Sequence, residues 1–207
     1  SQAFLVCFTK MTSRFYATYT SPLGEIQIES DGVVLTALDF RESRGDAADK
    51  SHSDSETLLL RDDKSLSSGD KAGLHIFDEV KMWLDAYFSG CQPRHTPQFR
   101  LSGTPFQLIV WEELQKIAYG ETATYGQLAE VVAVRRGKAK MSAQAVGNAL
   151  HKNPISLVVP CHRIIGSGGQ LVGYGGGLQR KEALLALEQG RASWLDGCKI
   201  RSVPNVR

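Results

Sequence analysis

The segment "PCHR" at residues 160–163 holds the side chains with the clearest capacity for chemistry in this sequence. Cys161 is followed directly by His162 and Arg163. The thiolate is the nucleophilic form of cysteine, and a neighbouring histidine or arginine can lower the thiol pKa or accept its proton. The four cysteines are scattered and include no CxxC pair, so neither a zinc site nor a disulfide framework is indicated. The pattern predicts a free, reactive cysteine in a reducing compartment.

The residues on either side of this cysteine predict how it is presented. The β-branched run "ISLVVP" (155–160) predicts a buried strand that ends at Pro160 and exposes Cys161. Because adjacent side chains of an extended segment point to opposite sides, His162 is expected to act through a bridging water. Seven glycines follow in residues 166–177, with Tyr174 among them. This segment is either a ligand-binding loop with Tyr174 as its apolar wall or a flexible hairpin.

A strongly basic stretch surrounds the cysteine. Residues 131–181 contain eight lysines and arginines and no acidic residue, whereas the rest of the chain has 16 basic and 22 acidic residues. Such a local field attracts a polyanion such as a nucleic acid, although a solvated basic face has the same composition.

Three helices are predicted before the cysteine. The first, "TPFQLIVWEELQKIA", begins near Thr104 with a threonine N-cap and a proline in its first turn. The next two span residues 124–134 and 142–153 and are joined by the basic turn "RRGKAK". The pair is typical of a helix-turn-helix, and an ordinary αα-hairpin is the alternative. Small residues keep the second helix slim enough to approach a nucleic-acid backbone: Ser142, Ala143, Ala145, Gly147 and Ala149.

The predicted fold class is α/β, of the α+β type. Residues 1–100 form an N-terminal domain with a β-meander over 14–40, a mobile insertion over 41–73 with one short strand at "TLLL", and an amphipathic helix over 74–90. Residues 104–190 form a mainly helical C-terminal domain with the helix-turn-helix, the active-site strand and turn, and a last helix carrying Lys181 and Glu188. Residues 191–207 form a tail.

The sequence also bears on location. No apolar run approaches the roughly 18 residues of a membrane span, and "AFLVCF" near the start is too short for a secretory signal. We expect an intracellular, monomeric protein, cytoplasmic or nuclear, that does not contact a membrane.

The segments "NPISLVVPCHRIIGSGG", "GYGGGLQRKEALLALE" and "TYGQLAE" together resemble the O6-alkylguanine-DNA alkyltransferases, also called methylated-DNA–protein-cysteine methyltransferases. The resemblance is dense over residues 104–190 and weaker around "TSPLG". It implies that Cys161 displaces the alkyl group from O6 of guanine in double-stranded DNA and keeps it as a thioether. The protein would then be spent after one turnover and would need no cofactor.

The resemblance also implies roles for individual residues. Cys161, His162, a water and Glu188 would form a proton relay, Lys181 would lower the thiol pKa, and Tyr125 would meet a base flipped out of the duplex. The implied substrate-pocket residues are Tyr174, Gly175, Gly176, Ile164 and Asn153. The expected DNA-contacting residues are Thr124, Arg135, Arg136, Ser142, Ala143, Gln144, Ala145, Gly147 and Ser167.

The sequence departs from the family pattern in three places. Gln144 stands where the family inserts an arginine into the duplex, and the turn before its helix is about five residues longer. The cysteines and histidines of the N-terminal zinc cluster of some members are missing, so no metal is expected.

There are two alternative functions. A cysteine hydrolase would place its histidine far from the cysteine in sequence, and a non-enzymatic alkyltransferase-like protein would have tryptophan at position 161.

Overall fold

The N-terminal half of the chain forms an antiparallel sheet. The computed structural model describes the backbone of residues 4–8, 14–41, 58–59 and 68–192, and the side chains of 14–41 and 75–192. The strands are β1 (Phe4–Phe8), β2 (Phe15–Ser21), β3 (Gly24–Ser30), β4 (Leu35–Phe40) and β5 (Leu58–Leu59). Their order is β4-β3-β2-β1-β5, with every neighbouring pair antiparallel. Strands β2 to β4 confirm the predicted meander, and β5 confirms the short strand within "TLLL", while β1 was not predicted.

Two tight turns set the register of the meander. In the β2–β3 turn Gly24 adopts φ +114°, a conformation that favours glycine. In the β3–β4 turn the Asp31 carboxylate accepts hydrogen bonds from the amides of Val33 and Val34, both at 2.9 Å. Alternate residues of β2 and β3 therefore face the core, as the alternating sequence requires.

A long helix, α1 (Ser68–Phe88), packs on this sheet. It begins six residues before the helix predicted from the sequence, so the last part of the predicted insertion 41–73 is helical. Apart from Arg41, β5 and this first turn, that insertion lies outside the described residues. Val80, Leu84 and Tyr87 are fully buried on the inner face of α1.

The C-terminal half is mainly helical. Its elements are α2 (Pro105–Leu114), β6 (Ala123–Thr124), α3 (Tyr125–Arg135), α4 (Ala143–His151), β7 (Ile164–Ile165) and α5 (Leu178–Glu188). Thr104, Thr124 and Ser142 each cap a helix by accepting a backbone N–H with the side-chain oxygen, and the first two form full capping boxes. The helices α2, α3 and α4 pack against one another, and the short strands β6 and β7 pair in parallel.

The predicted strand over residues 155–160 was wrong. The segment is buried, as predicted, but it folds into successive turns and only Ile155 forms a bridge, to Leu38 of β4. Leu157 has φ +71°, which is incompatible with a strand. The physical reason is Asn153, whose amide nitrogen donates to the Val159 carbonyl at 2.7 Å while its amide oxygen accepts from the Ile155 N–H at 3.1 Å. The Asn153 side chain thus forms hydrogen bonds with backbone groups that would otherwise pair with a neighbouring strand.

One apolar core joins the two halves of the molecule. The same cluster contains Ile26 and Leu38 of the sheet and Trp111, Val132 and Leu184 of the helices. Helix α1 lies close to the active-site segment for this reason. Within the described residues, none of the helices combines the length and the apolar character that spanning a bilayer requires.

Candidate active site

Cys161 begins a 3-10 turn, Cys161–Arg163, directly after the turns of residues 155–160. The sequence predicted an exposed cysteine at a strand end, whereas the residue is only 8% exposed. The prediction was wrong because the preceding segment folds back on Asn153 instead of running out to the sheet edge. The amide nitrogen of Asn153 donates to Cys161 Sγ at 3.3 Å. Asn153 therefore fixes both the path of the backbone and the position of the thiol.

Glu188 at the end of α5 is the buried hub beside this turn. Its Oε1 atom accepts hydrogen bonds from His162 Nε2 at 2.7 Å, Tyr87 Oη at 2.7 Å and Arg163 Nη2 at 2.9 Å. Its Oε2 atom accepts from Arg163 Nε at 2.8 Å and from the Gly120 N–H at 3.0 Å. Although burial acts to raise the pKa of Glu188, these donors hold it well below its usual range. The carboxylate is therefore charged and fully paired at neutral pH.

The tautomer of His162 follows from this pairing. Because a carboxylate only accepts hydrogen bonds, the short contact to Glu188 requires the hydrogen on Nε2. Burial lowers the pKa of His162, with Glu188 acting in the opposite direction, so the ring is neutral at pH 7. Its Nδ1 atom is buried and has no hydrogen-bond partner among the described residues. The ring thus presents one free basic nitrogen atom, and the residue that presents it follows Cys161 directly.

The charges around the thiol act in opposing directions. Burial raises the pKa of Cys161, and the Asp39 carboxylate raises it further, while the Asn153 amide and the Lys181 ammonium lower it. Lys181 is itself buried, and burial lowers its pKa to about 8. The predicted cation near the thiol is therefore present, but burial is the stronger effect. The thiol needs a base to release its proton, and His162 is the candidate.

Lys181 and Tyr125 hold the glycine-rich loop over the site. The ammonium of Lys181 donates to the carbonyls of Ile164 and Val172. The hydroxyl of Tyr125 donates to the carbonyls of Val172 at 3.2 Å and Gly173 at 3.0 Å. Residues in the first turns of α5 and α3 thus hold the loop in place by hydrogen bonds to its carbonyls. This supports the ligand-binding alternative over the flexible hairpin.

Most of the predicted DNA-contacting residues are exposed. The first turn of α4 presents Ser142, Ala143 and Gln144 to solvent, with Ala145 and Gly147 half-buried beside them, and Ser167 is exposed in the turn after β7. Thr124 has a capping role, as described above. Arg136 is exposed, and its guanidinium lies 5.2 Å from the centre of the Phe106 ring.

Arg135 is placed differently from its neighbour. It forms ion pairs with Glu112 and with Glu113, the second at 2.9 Å, so its charge is compensated by α2. Sequence reasoning treated the two arginines alike, because the acidic partners belong to another helix.

Two residues of the site were missed from the sequence. Tyr87 comes from α1 in the N-terminal half, and its hydroxyl also lies 3.3 Å from His162 Nε2. Gly120 contributes only a backbone N–H. A tyrosine on the buried face of an amphipathic helix looks like any core aromatic, so no sequence signal identified it. Arg163 was expected near the thiol, but its guanidinium points to Glu188 and to the Ile117 carbonyl, at 2.7 Å.

Two short packed helices joined by a basic turn, beside a buried thiol and a histidine–carboxylate pair, are the arrangement expected of a DNA-binding protein with a reactive cysteine. Two family models match the chain: "6-O-methylguanine DNA methyltransferase, DNA binding domain" over residues 105–190, and "6-O-methylguanine DNA methyltransferase, ribonuclease-like domain" over residues 15–96. The chain belongs to the 6-O-methylguanine DNA methyltransferase family. The description of the first model favours the helix-turn-helix over the αα-hairpin.

Relatives and solved structures agree with this assignment. A methylated-DNA–protein-cysteine methyltransferase of Haemophilus influenzae is 36% identical over 180 residues, which are 86% of this chain and 88% of that protein. The protein of the same name in Mycobacterium leprae is 40% identical over 169 residues, covering 82% and 88%. The crystal structure of Mycobacterium tuberculosis OGT in complex with DNA matches with a TM-score of 0.64 at 36% identity, covering 84% of this chain and 92% of that one.

Proposed function

We propose that this protein repairs DNA by moving an alkyl group from O6 of guanine to Sγ of its own Cys161. The observation that carries the proposal is the buried thiol followed by a neutral histidine that Glu188 holds in one tautomer. This arrangement provides a nucleophile and a base without a metal or an organic cofactor. The relatives named above, which share this fold, are named for the same transfer.

The proton of the thiol would leave through His162. A water molecule between the thiol and Nδ1 of His162 would satisfy that buried nitrogen atom and carry the proton to it. The imidazolium that forms is stabilised by the Glu188 carboxylate on the opposite nitrogen atom. Lys181 stabilises the thiolate electrostatically.

The thiolate then attacks the alkyl carbon in line with the bond to O6. The new S–C bond forms as the C–O6 bond breaks, and the electron pair leaves with the guanine, which takes up a proton. The product cysteine is a thioether with no ready leaving group, so each chain reacts once.

The base must leave the duplex to reach this thiol, since O6 is not accessible to it inside the helix. Tyr125, Tyr174 and the backbone of Gly175 and Gly176 would surround the flipped base. The Tyr125 hydroxyl donates to the Val172 and Gly173 carbonyls in the free protein. It would exchange these acceptors for the substrate.

The partner is therefore double-stranded DNA that contains an O6-alkylated guanine, and a DNA substrate supports an intracellular location. A cysteine hydrolase is disfavoured because its histidine would normally lie far from the cysteine in sequence, whereas His162 follows Cys161 directly. Incubation with a duplex containing O6-methylguanine should add one methylene unit of mass to each chain, whereas an undamaged duplex should add nothing. Cleavage of a peptide substrate, or binding without a mass change, would contradict the proposal.

The two neighbouring arginines at the end of α3 should differ in their contribution to DNA binding. Because Arg135 is paired with Glu112 and Glu113, Arg135→Ala should leave the salt dependence of duplex binding nearly unchanged. Arg136→Ala removes a charge that has no acidic partner among the described ion pairs, so affinity should fall and the slope of log K against log salt should shrink by about 0.9. Fluorescence anisotropy at several salt concentrations measures both slopes. Equal slopes for the two variants would contradict this assignment.

Gln144 is proposed as the side chain that fills the gap left by the flipped base. It is exposed in the first turn of α4. Arginine adds charge and a stacking plane that glutamine lacks, so Gln144→Arg should speed single-turnover repair of duplex DNA. Gln144→Ala should slow it. Neither variant should change reaction with free O6-benzylguanine, which needs no flipping. If both variants treat the two substrates alike, another residue enters the duplex.

A further inference from the structure

Arg180 joins the glycine-rich loop to the N-terminal sheet. Its Nε atom donates to the Leu23 carbonyl in the β2–β3 turn at 3.0 Å, and its Nη1 atom donates to the Gly176 carbonyl at 3.1 Å. Its guanidinium carbon also lies 4.9 Å from the centre of the Phe40 ring at the end of β4. The side chain thus spans elements that are more than 150 positions apart in the sequence. In the sequence, Arg180 is only one of the eight basic residues around the cysteine.

The loop has room to move on the side where Arg180 holds it. A groove of about 710 Å³ lies between the loop and the N-terminal turn, lined by Pro22, Leu23 and residues 175–180. The other end of the loop is fixed by Lys181 and Tyr125, which bind the carbonyls of Val172 and Gly173. Arg180 is therefore the contact that restrains the end that borders the groove.

A displacement of Gly176 would be transmitted to the pocket. The backbone of Gly176 lies so close to Tyr174 that a Cβ atom there would come within 2.7 Å of the Tyr174 ring. That ring lies edge-on to His162, with 6.5 Å between the ring centres. The contacts lead from Leu23 through Arg180, Gly176 and Tyr174 to the residue beside the reactive thiol.

We infer that Arg180 is a positioning residue that sets the width of the alkyl pocket by clamping Gly176 to the N-terminal turn, an inference that rests on the proposed alkyl transfer. The planar guanidinium donates to the two carbonyls from separate nitrogen atoms in a rigid fork, whereas a lysine ammonium donates from a single nitrogen atom on a flexible stem and an apolar side chain donates nothing. The N-terminal half of the protein then takes part in choosing the substrate, although it provides no reacting atom. With the clamp intact the wall formed by Tyr174 and Gly176 is held close to the thiol. Without it the wall moves into the groove and accepts larger alkyl groups.

The test compares single-turnover rates on two duplexes that differ only in carrying O6-methylguanine or O6-benzylguanine. Arg180→Ala should raise the ratio of the benzyl rate to the methyl rate about tenfold, because the wall that excludes the larger group is loosened while the methyl group loses its close fit. Arg180→Lys keeps the charge but not the bridge, and should give an intermediate ratio. Glu182→Ala, an exposed residue of the same helix that does not line the groove, is the matched control and should keep the wild-type ratio.

A purely structural role for Arg180 would lower both rates by the same factor, and this result or an unchanged ratio would overturn the inference.

Hydrogen exchange gives a second readout that does not depend on transfer. The Gly177 amide donates to the Tyr174 carbonyl at 3.1 Å, so its protection reports on the turn that the clamp holds. Arg180→Ala should lower this protection and leave that of α4 unchanged. Unaltered protection would overturn the clamp even if transfer is normal. If the wild-type protein transfers neither group, the proposed function and the role of Arg180 in specificity are both wrong. Hydrogen exchange still tests whether Arg180 holds Gly176 in place.

Discussion

We expect Cys161→Ser to abolish alkyl transfer and to leave duplex binding intact. A serine hydroxyl is not ionised near neutral pH and is a much weaker nucleophile, so we expect the single-turnover rate to fall by at least about 10³-fold. The smaller oxygen atom fits the buried site and can still accept the hydrogen bond from Asn153. Binding should survive, because the proposed DNA contacts lie on α4 and the basic turn. Intact-mass analysis measures the transfer and fluorescence anisotropy measures the binding.

Cys91 provides the matched control for this experiment. It is a free cysteine like Cys161, but it is exposed. Cys91→Ser should transfer at the wild-type rate, and peptide mapping of the reacted wild-type protein should find the alkyl group on Cys161 alone. An alkyl group on any other cysteine, or transfer by Cys161→Ser, would disprove the assigned nucleophile.

Glu188→Gln should damage both the relay and the fold. The amide removes the charge that stabilises the His162 imidazolium, so the single-turnover rate should fall by about 10²-fold or more. It also leaves the guanidinium of Arg163, which is 9% exposed, without its anion. Breaking a buried ion pair in this way lowers the free energy of unfolding by about 3–5 kcal/mol. Urea unfolding measures the stability, and the rate is compared under conditions where both proteins are folded.

The control for Glu188 is another buried carboxylate outside the site. Glu113 is 6% exposed, pairs with Lys116 and Arg135, and makes no hydrogen bond to His162, Arg163 or Tyr87 among the described contacts. Glu113→Gln should lower the stability while the transfer rate of the folded protein stays unchanged. If the two substitutions reduce stability but neither alters the rate, Glu188 serves the fold alone and the relay is wrong.

Much of the site was predictable because its signals are local. The caps at Thr104, Thr124 and Ser142 act within three residues, and α2, α3 and α4 begin where the sequence predicted. The alternation of residues 14–40 predicted the meander for the same reason. The "PCHR" segment and the residues around it pointed to the family, which the comparisons confirmed.

The burial of the reactive cysteine was decided by the tertiary structure. A β-branched run indicates that a segment is buried, but it does not say whether a strand lies beside it. Here the Asn153 side chain and a single bridge from Ile155 to Leu38 replace the strand pairing, and Cys161 turns inward. The prediction that Cys161 is exposed was wrong because it assumed that the segment runs out to the edge of the sheet.

The sequence by itself pointed to the candidate nucleophile and to the helices beside it, and it determined the family to which the chain belongs, since these depend on residue types and short spacings. The tertiary structure decided which groups pair with each charged side chain. Glu188 is paired with donors 25 to 101 positions away, Arg135 is compensated by Glu112 and Glu113, and Arg180 binds a turn 157 positions away. The physical reason is that a charged side chain interacts with whatever the fold brings within a few ångströms, and the periodicity of its own segment does not identify those partners.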